Sequence, residues 1–167
     1  MRRIISLVLA LGVLVPFSGA LAKEFHVQPL SGDQEVPARA TNARGNLVLE
    51  ISDDGLTLRY KLIVANIHNV VASHIHVGAA GANGPVVLFL FGTAPPNGGR
   101  VDGILAQGTV TAANLTGPLT GQPLSALIDA IRAGNAYVNV HTNDGVDPAN
   151  TGPGDFPGGE IRAQIRE

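Results

Sequence analysis

The chain has 167 residues, 45% of them hydrophobic and 14% charged, with a formal charge of −2 and no cysteine. The missing cysteine excludes disulfides, thiolate metal sites and thiol chemistry, so any metal site must draw on His, Asp, Glu or backbone ligands. A mildly acidic balance with no basic run argues against nucleic acid as a partner.

The N-terminal residues read as an export signal. Arg2 and Arg3 form a short positive region, residues 4–17 are apolar apart from Ser6, Gly12 and Pro16, and Ala20-Leu21-Ala22 fits a small-x-small cleavage site. The expectation is a signal peptide over residues 1–22, cleaved after Ala22, and a periplasmic or extracellular mature chain. The alternative, a membrane anchor, needs an apolar span of ~20 residues. No later segment is long enough to cross a membrane. Removing Arg2 and Arg3 takes the formal charge from −2 to about −4. The remaining residues, 23–167, suit one domain.

From residue 23 onward the pattern alternates with period two. Phe25 and Val27 open a first strand that Pro29 ends. Leu47, Leu49 and Ile51 mark a second. Asp53-Asp54-Gly55 is a tight-turn sequence leading into a third, where Leu56, Leu58, Tyr60, Leu62 and Val64 alternate with polar residues. Residues 74–77 are a fourth strand, followed by the Gly-rich loop 78–85. The apolar run over residues 86–91 reads as a fifth, covered on both faces. Residues 104–110, 136–141 and 161–165 complete the set. One short helix is expected where Leu124, Leu127, Ile128 and Ile131 recur at helical spacing, with Pro123 near its start and Gly134 just beyond its end. About eight antiparallel strands with one connecting helix predict an all-β, Greek-key sandwich or flattened barrel. The 21 Gly and 11 Pro fit the many turns this requires. Residues 142–159 form the longest irregular stretch, either a solvated loop or one that serves the site beside it.

The chemistry concentrates in two strands. On a strand, residues two apart share a face. His74 and His76 therefore lie opposite Ile75 and Val77. In the later strand Ala136, Val138 and Val140 form the apolar face, and Tyr137, Asn139 and His141 point the other way. If the two strands are neighbours, three imidazoles converge, the donor set of a Cu or Zn site, with copper ahead of zinc on general affinity order. His26, His68 (in Asn66-Ile67-His68-Asn69, which reads as a turn just before the His-x-His strand), an Asp of the long loop such as Asp144, or water are candidates for a further ligand. The alternative is that the histidines are polar residues with hydrogen-bonding roles. Ser73 faces away from His74 and no Gly-x-Ser-x-Gly elbow occurs, so acyl transfer lacks a nucleophile beside a base. Glu35 and Glu160 are expected to pair with Arg162 or cap amides rather than work as acid and base.

These segments resemble a known family. Leu30-Ser31-Gly32-Asp33-Gln34-Glu35-Val36-Pro37, Ser73-His74-Ile75-His76-Val77-Gly78 with Gly84-Pro85, Ala133-Gly134-Asn135-Ala136-Tyr137-Val138-Asn139-Val140-His141-Thr142 and Gly159-Glu160-Ile161-Arg162-Ala163-Gln164-Ile165 are similar, in order, to the motifs of the CHRD domain, named after chordin. The resemblance implies a β fold and an exported single-domain protein. It departs from the family pattern at Ala163, where Gly is more usual, and in the length of residues 142–159. A more local resemblance is to the copper-ligand strand of Cu/Zn superoxide dismutases, whose zinc-loop histidines and cysteines are absent here. Three functions follow as expectations: an exported copper-binding protein for storage, buffering or delivery; a non-catalytic module contacting a protein or glycan, with structural histidines; and a dismutase-like copper enzyme, for which Arg100 or Arg132 would supply a basic guide.

Overall fold

The computed structural model describes residues 23–166, and the expected signal peptide lies outside them. Eight strands form: β1 (Lys23–Val27), β2 (Arg44–Ile51), β3 (Leu58–His68), β4 (Val70–Val77), β5 (Val86–Phe91), β6 (Arg100–Val110), β7 (Ala136–Thr142) and β8 (Ile161–Arg166). One helix, α1 (Leu124–Arg132), stands between β6 and β7. Every strand pairing is antiparallel, in the order β5-β4-β7-β8-β1-β2-β3-β6.

The order divides into two four-stranded sheets joined through β1. Its first half pairs with β2 (Phe25 opposite Leu49), and its end pairs with β8 (Val27 opposite Ile165). The chain makes a hairpin of β2 and β3, crosses to the other sheet for β4 and β5, and returns to place β6 beside β3. That return is a Greek-key crossover. The sandwich-like all-β fold with one connecting helix is the one the sequence pattern predicts.

The core follows from the alternation. Leu47, Leu49 and Ile51 of β2 and Leu58, Leu62 and Val64 of β3 are buried between the sheets, facing Ile75, Val138, Val140, Ile161 and Ile165. The turn before β3 forms as its residues dictate: Gly55 adopts φ 70°, and the Asp54 carboxylate accepts from the Ser52 hydroxyl at 2.6 Å and from the Leu56 amide at 2.9 Å. Leu124, Leu127, Ile128 and Ile131 of α1 are all buried, and Gly134 ends the helix at φ 69°.

Two expectations need correction. The run Val86–Phe91 is not covered on both faces. It forms β5 at the edge of its sheet, and Phe89 is 49% exposed while Val87, Leu88 and Leu90 are buried. Register shifts against β4 break the period, so consecutive apolar residues do not share one environment. His68 was expected in a turn, and it is instead the last residue of β3. The strand runs past Val64 because Asn66, at φ 55°, makes an irregularity whose amide the Asp102 carboxylate satisfies at 2.8 Å.

Residues 142–159 are well anchored. Asp155 and Phe156 are buried, the Phe156 amide donates to Thr142 Oγ1 at 3.0 Å, and Asp155 accepts from the Thr151 amide and hydroxyl, each at 2.9 Å. The loop therefore folds back on the end of β7, where His141 lies.

Candidate metal centre

β4 and β7 are neighbours, with His74 opposite Asn139, His76 opposite Tyr137 and Ala72 opposite His141. Cross-strand partners point to the same side of a sheet. His74, His76, Tyr137, Asn139 and His141 therefore share one face, turned away from the core. One ligand nitrogen from each histidine lies within 4.8 Å of the others, and His74 Nδ1 is 3.1 Å from His141 Nε2. Two nitrogens ~2.0–2.1 Å from one ion at 90–110° are about 2.9–3.4 Å apart. The closest pair already has that spacing.

Backbone carbonyls set the tautomers. His76 Nδ1–H donates to Gly84 O at 2.8 Å, and His141 Nδ1–H donates to Pro157 O at 2.8 Å. A carbonyl accepts and never donates, so in a neutral ring each Nε2 keeps a bare lone pair. This assignment comes from the bonding pattern. Without a metal His74 Nδ1–H donates to the bare His141 Nε2, which leaves His74 Nε2 buried without a partner; ligation through Nδ1 takes the other His74 tautomer, with its proton on Nε2.

Electrostatics favour neutral rings. Burial, helped by His141 and His76, pushes His74 down to about 4. Burial also lowers His76 and His141, against the opposing effect of their hydrogen bonds to Gly84 and Pro157. Metal ligation requires the neutral imidazole, so these shifts keep the ligand form available at neutral pH.

The surroundings hold the rings in place. Tyr137 stacks on His76 at 4.7 Å between centroids, 6° from parallel. The Arg162 guanidinium, 1% exposed, lies 3.4 Å from the Tyr137 ring centroid and donates to Ala79 O, Ala82 O and Asn83 Oδ1. It thereby ties down the loop that presents Gly84 O. A Cβ at Gly84 would collide with Val77 O, so this close approach requires glycine. Phe89 packs edge-on against His74 at 4.6 Å.

The structure thus brings His74, His76 and His141 together and leaves the further candidates apart. His68 ends β3 in the other sheet. Asp144 caps a turn, its carboxylate accepting from the Val146 amide at 2.8 Å. His26 lies on β1, which β8 separates from β7. The long loop contributes the Pro157 carbonyl rather than a side-chain ligand.

Of the other polar groups, Ser73 and Glu160 take the structural roles expected of them, and Glu35 does so only in part. Ser73 Oγ donates to Asn139 O at 2.7 Å, facing away from the histidines. Glu160, fully buried, accepts from the Thr41 and Thr142 hydroxyls and the Gly154 amide. Glu35 is buried near Arg162 and Arg39, whose charges only partly offset its desolvation, and its carboxyl is pushed up to about 7. The Asn139 amide lies beside it and works against that rise. Asn139 Oδ1 in turn lies 3.0 Å from His76 Nε2. Sequence reasoning placed Asn139 and Tyr137 on the histidine face but gave them no role. The same alternation that selected His141 carried that information.

No curated protein and no solved structure matches the chain significantly. The family model of the CHRD domain matches residues 27–165, nearly the whole of it. This chain belongs to the CHRD domain family.

Proposed function

We propose that this protein is exported and binds a transition metal, copper ahead of zinc, through His74, His76 and His141, for storage, buffering or delivery outside the cytoplasm. The observation that carries the reading is the convergence of one nitrogen from each histidine within 4.8 Å, with two of the rings held by backbone carbonyls so that Nε2 carries the lone pair a metal needs. Nitrogen donors without thiolate suit Cu(II) and Zn(II), and Cu(II) is bound more tightly in general. Export is supported by the N-terminal sequence and by the family, whose domains are typically extracellular or secreted. Among the described residues no helix is long and apolar enough to cross a membrane.

The test is a Cu(II) titration of the wild type and of His76→Ala. Removing one of three ligands is expected to weaken binding by more than ~100-fold, since even outer-shell partners carry 10–100-fold. Circular dichroism should report an unchanged fold. Equal affinity in the two proteins would refute the reading.

One observation favours the interaction-module alternative: Phe89 is 49% exposed beside His74. It stands alone, because Val87 is fully buried and Phe91 is half-buried. A single exposed aromatic is a small docking surface.

A further inference from the structure

Asn139 lies at the centre of the histidine face. It is directly opposite His74 across the β4–β7 pair, and it stands between Tyr137 and His141 along β7. It is 3% exposed. Its side-chain oxygen is 3.0 Å from His76 Nε2. His76 Nδ1 already donates to Gly84 O, so a neutral His76 has no proton at Nε2 to offer. Two lone-pair-bearing atoms then face each other at hydrogen-bond distance. That arrangement is unfavourable unless a proton or a metal cation lies between them.

Turning the amide over would not relieve this. Glu35, 5% exposed, lies beside the Asn139 amide, its Oε1 and Asn139 Nδ2 meeting over Gly159. Above about pH 7, where Glu35 is ionised, reversal would set the amide oxygen against its carboxylate, acceptor against acceptor. Glu35 Oε1 is buried without a hydrogen-bond partner. Gly159 makes the close approach possible: at φ 122°, a Cβ there would land on Glu35 Oε1 and 2.9 Å from Asn139 Nδ2. The packing of β7 against the Glu35 segment is thus built to hold this amide in one orientation, with its oxygen toward the histidines.

The spacing is that of ligands to one ion. The His76 Nε2 to Asn139 Oδ1 distance, 3.0 Å, matches the 3.1 Å between His74 Nδ1 and His141 Nε2. Both fall in the ~2.9–3.5 Å expected for donors 2.0–2.2 Å from a shared metal. We propose that Asn139 Oδ1 is a fourth, oxygen ligand of the metal held by His74, His76 and His141, and that Glu35 is the positioning residue that turns this oxygen toward the ion. The inference rests on the three-histidine reading of the site and adds a closed, three-nitrogen, one-oxygen coordination. A closed set suits holding or handing over the ion and leaves no protein-defined open position for a dismutase reaction.

The experiment is Cu(II) binding and electron paramagnetic resonance at pH 8, with wild type, Asn139→Ala and Glu35→Gln. The wild type is expected to bind one Cu(II) per chain. Asn139→Ala and Glu35→Gln are each expected to keep the nitrogen couplings, shift the parallel g and copper hyperfine values, and lose about 10–100-fold in affinity. Pulsed measurement on wild type labelled with 13C-asparagine is expected to show a 13C coupling to copper, which needs no variant to fold. If wild type binds copper but the 13C coupling is absent and both variants keep the wild-type spectrum, the Asn139 ligand is overturned and the histidine site stands. If wild type binds no stoichiometric copper, the histidine reading itself falls, and the Asn139 assignment with it.

Discussion

Replacing Glu35 by Gln in the metal-free protein should stabilise the fold at alkaline pH. The Glu35 carboxyl is raised from an ordinary 4.5 to about 7, chiefly by burial. The sign follows from proton linkage. Between about pH 4.5 and pH 7 the folded state holds this proton while the unfolded chain has released it, so stability falls as pH rises through that window. Above pH 7 the folded protein carries the full cost of a buried carboxylate that Arg162 and Arg39 only partly offset. The gap is 7 minus 4.5, about 2.5 pH units, which at 1.36 kcal/mol each gives an upper figure of about 3 kcal/mol. A realised effect of about 1–3 kcal/mol is expected, because buried groups relax and admit water. Glutamine keeps the shape and cannot ionise. The assay is urea unfolding of both proteins from pH 4 to pH 9. The histidines are common to both and cancel in the difference. Glu35→Gln should be near wild type at pH 4 and gain steadily to its full advantage by pH 8. Parallel stability curves with a constant difference would refute the reasoning, since they would mean that Glu35 ionises alike in both states.

The lowered histidines make a prediction of opposite sense. With His74 at about 4 and His76 and His141 also depressed, protons compete for the ligands only in acid. Copper affinity should therefore begin to fall at a lower pH than for ordinary imidazoles, which begin losing metal near pH 6.5; titrations at several pH values read this directly. Arg162→Met should destabilise the fold by about 2–4 kcal/mol, because it removes the buried donor to Ala79 O, Ala82 O and Asn83 and leaves those acceptors unpaired. Its unfolding midpoint, measured against wild type, checks this, and an unchanged midpoint would mean that the 78–84 loop holds itself.

Much of this molecule can be read from periodicity alone. Alternation over residues 58–64 and the helical spacing of Leu124, Leu127, Ile128 and Ile131 predict the core positions, because burial on one face is what those patterns encode. The same rule places His74, His76 and His141 on polar faces. Their convergence was legible only conditionally, since period two assigns a face and says nothing of which strands are neighbours. The Greek-key return that seats β7 beside β4 is a property of the whole chain. Where the pattern misled, a local irregularity was responsible: register shifts against β4 put Phe89 in solvent, and Asn66 at positive φ carries β3 on to His68. The outer layer of the site was the least legible. Gly84 O, Pro157 O and Glu35 come from loops distant in sequence, and their roles depend on carbonyl and carboxylate placement that no side-chain pattern records.

The most direct test of the central claim is the metal content of the protein purified from the exported fraction, alongside His141→Ala, by elemental analysis and Cu(II) titration. One tightly held copper per wild-type chain is expected, lost in the variant with the fold retained. No stoichiometric metal in the wild type, under titration or as isolated, would contradict it and leave His74, His76 and His141 as a hydrogen-bonded structural cluster.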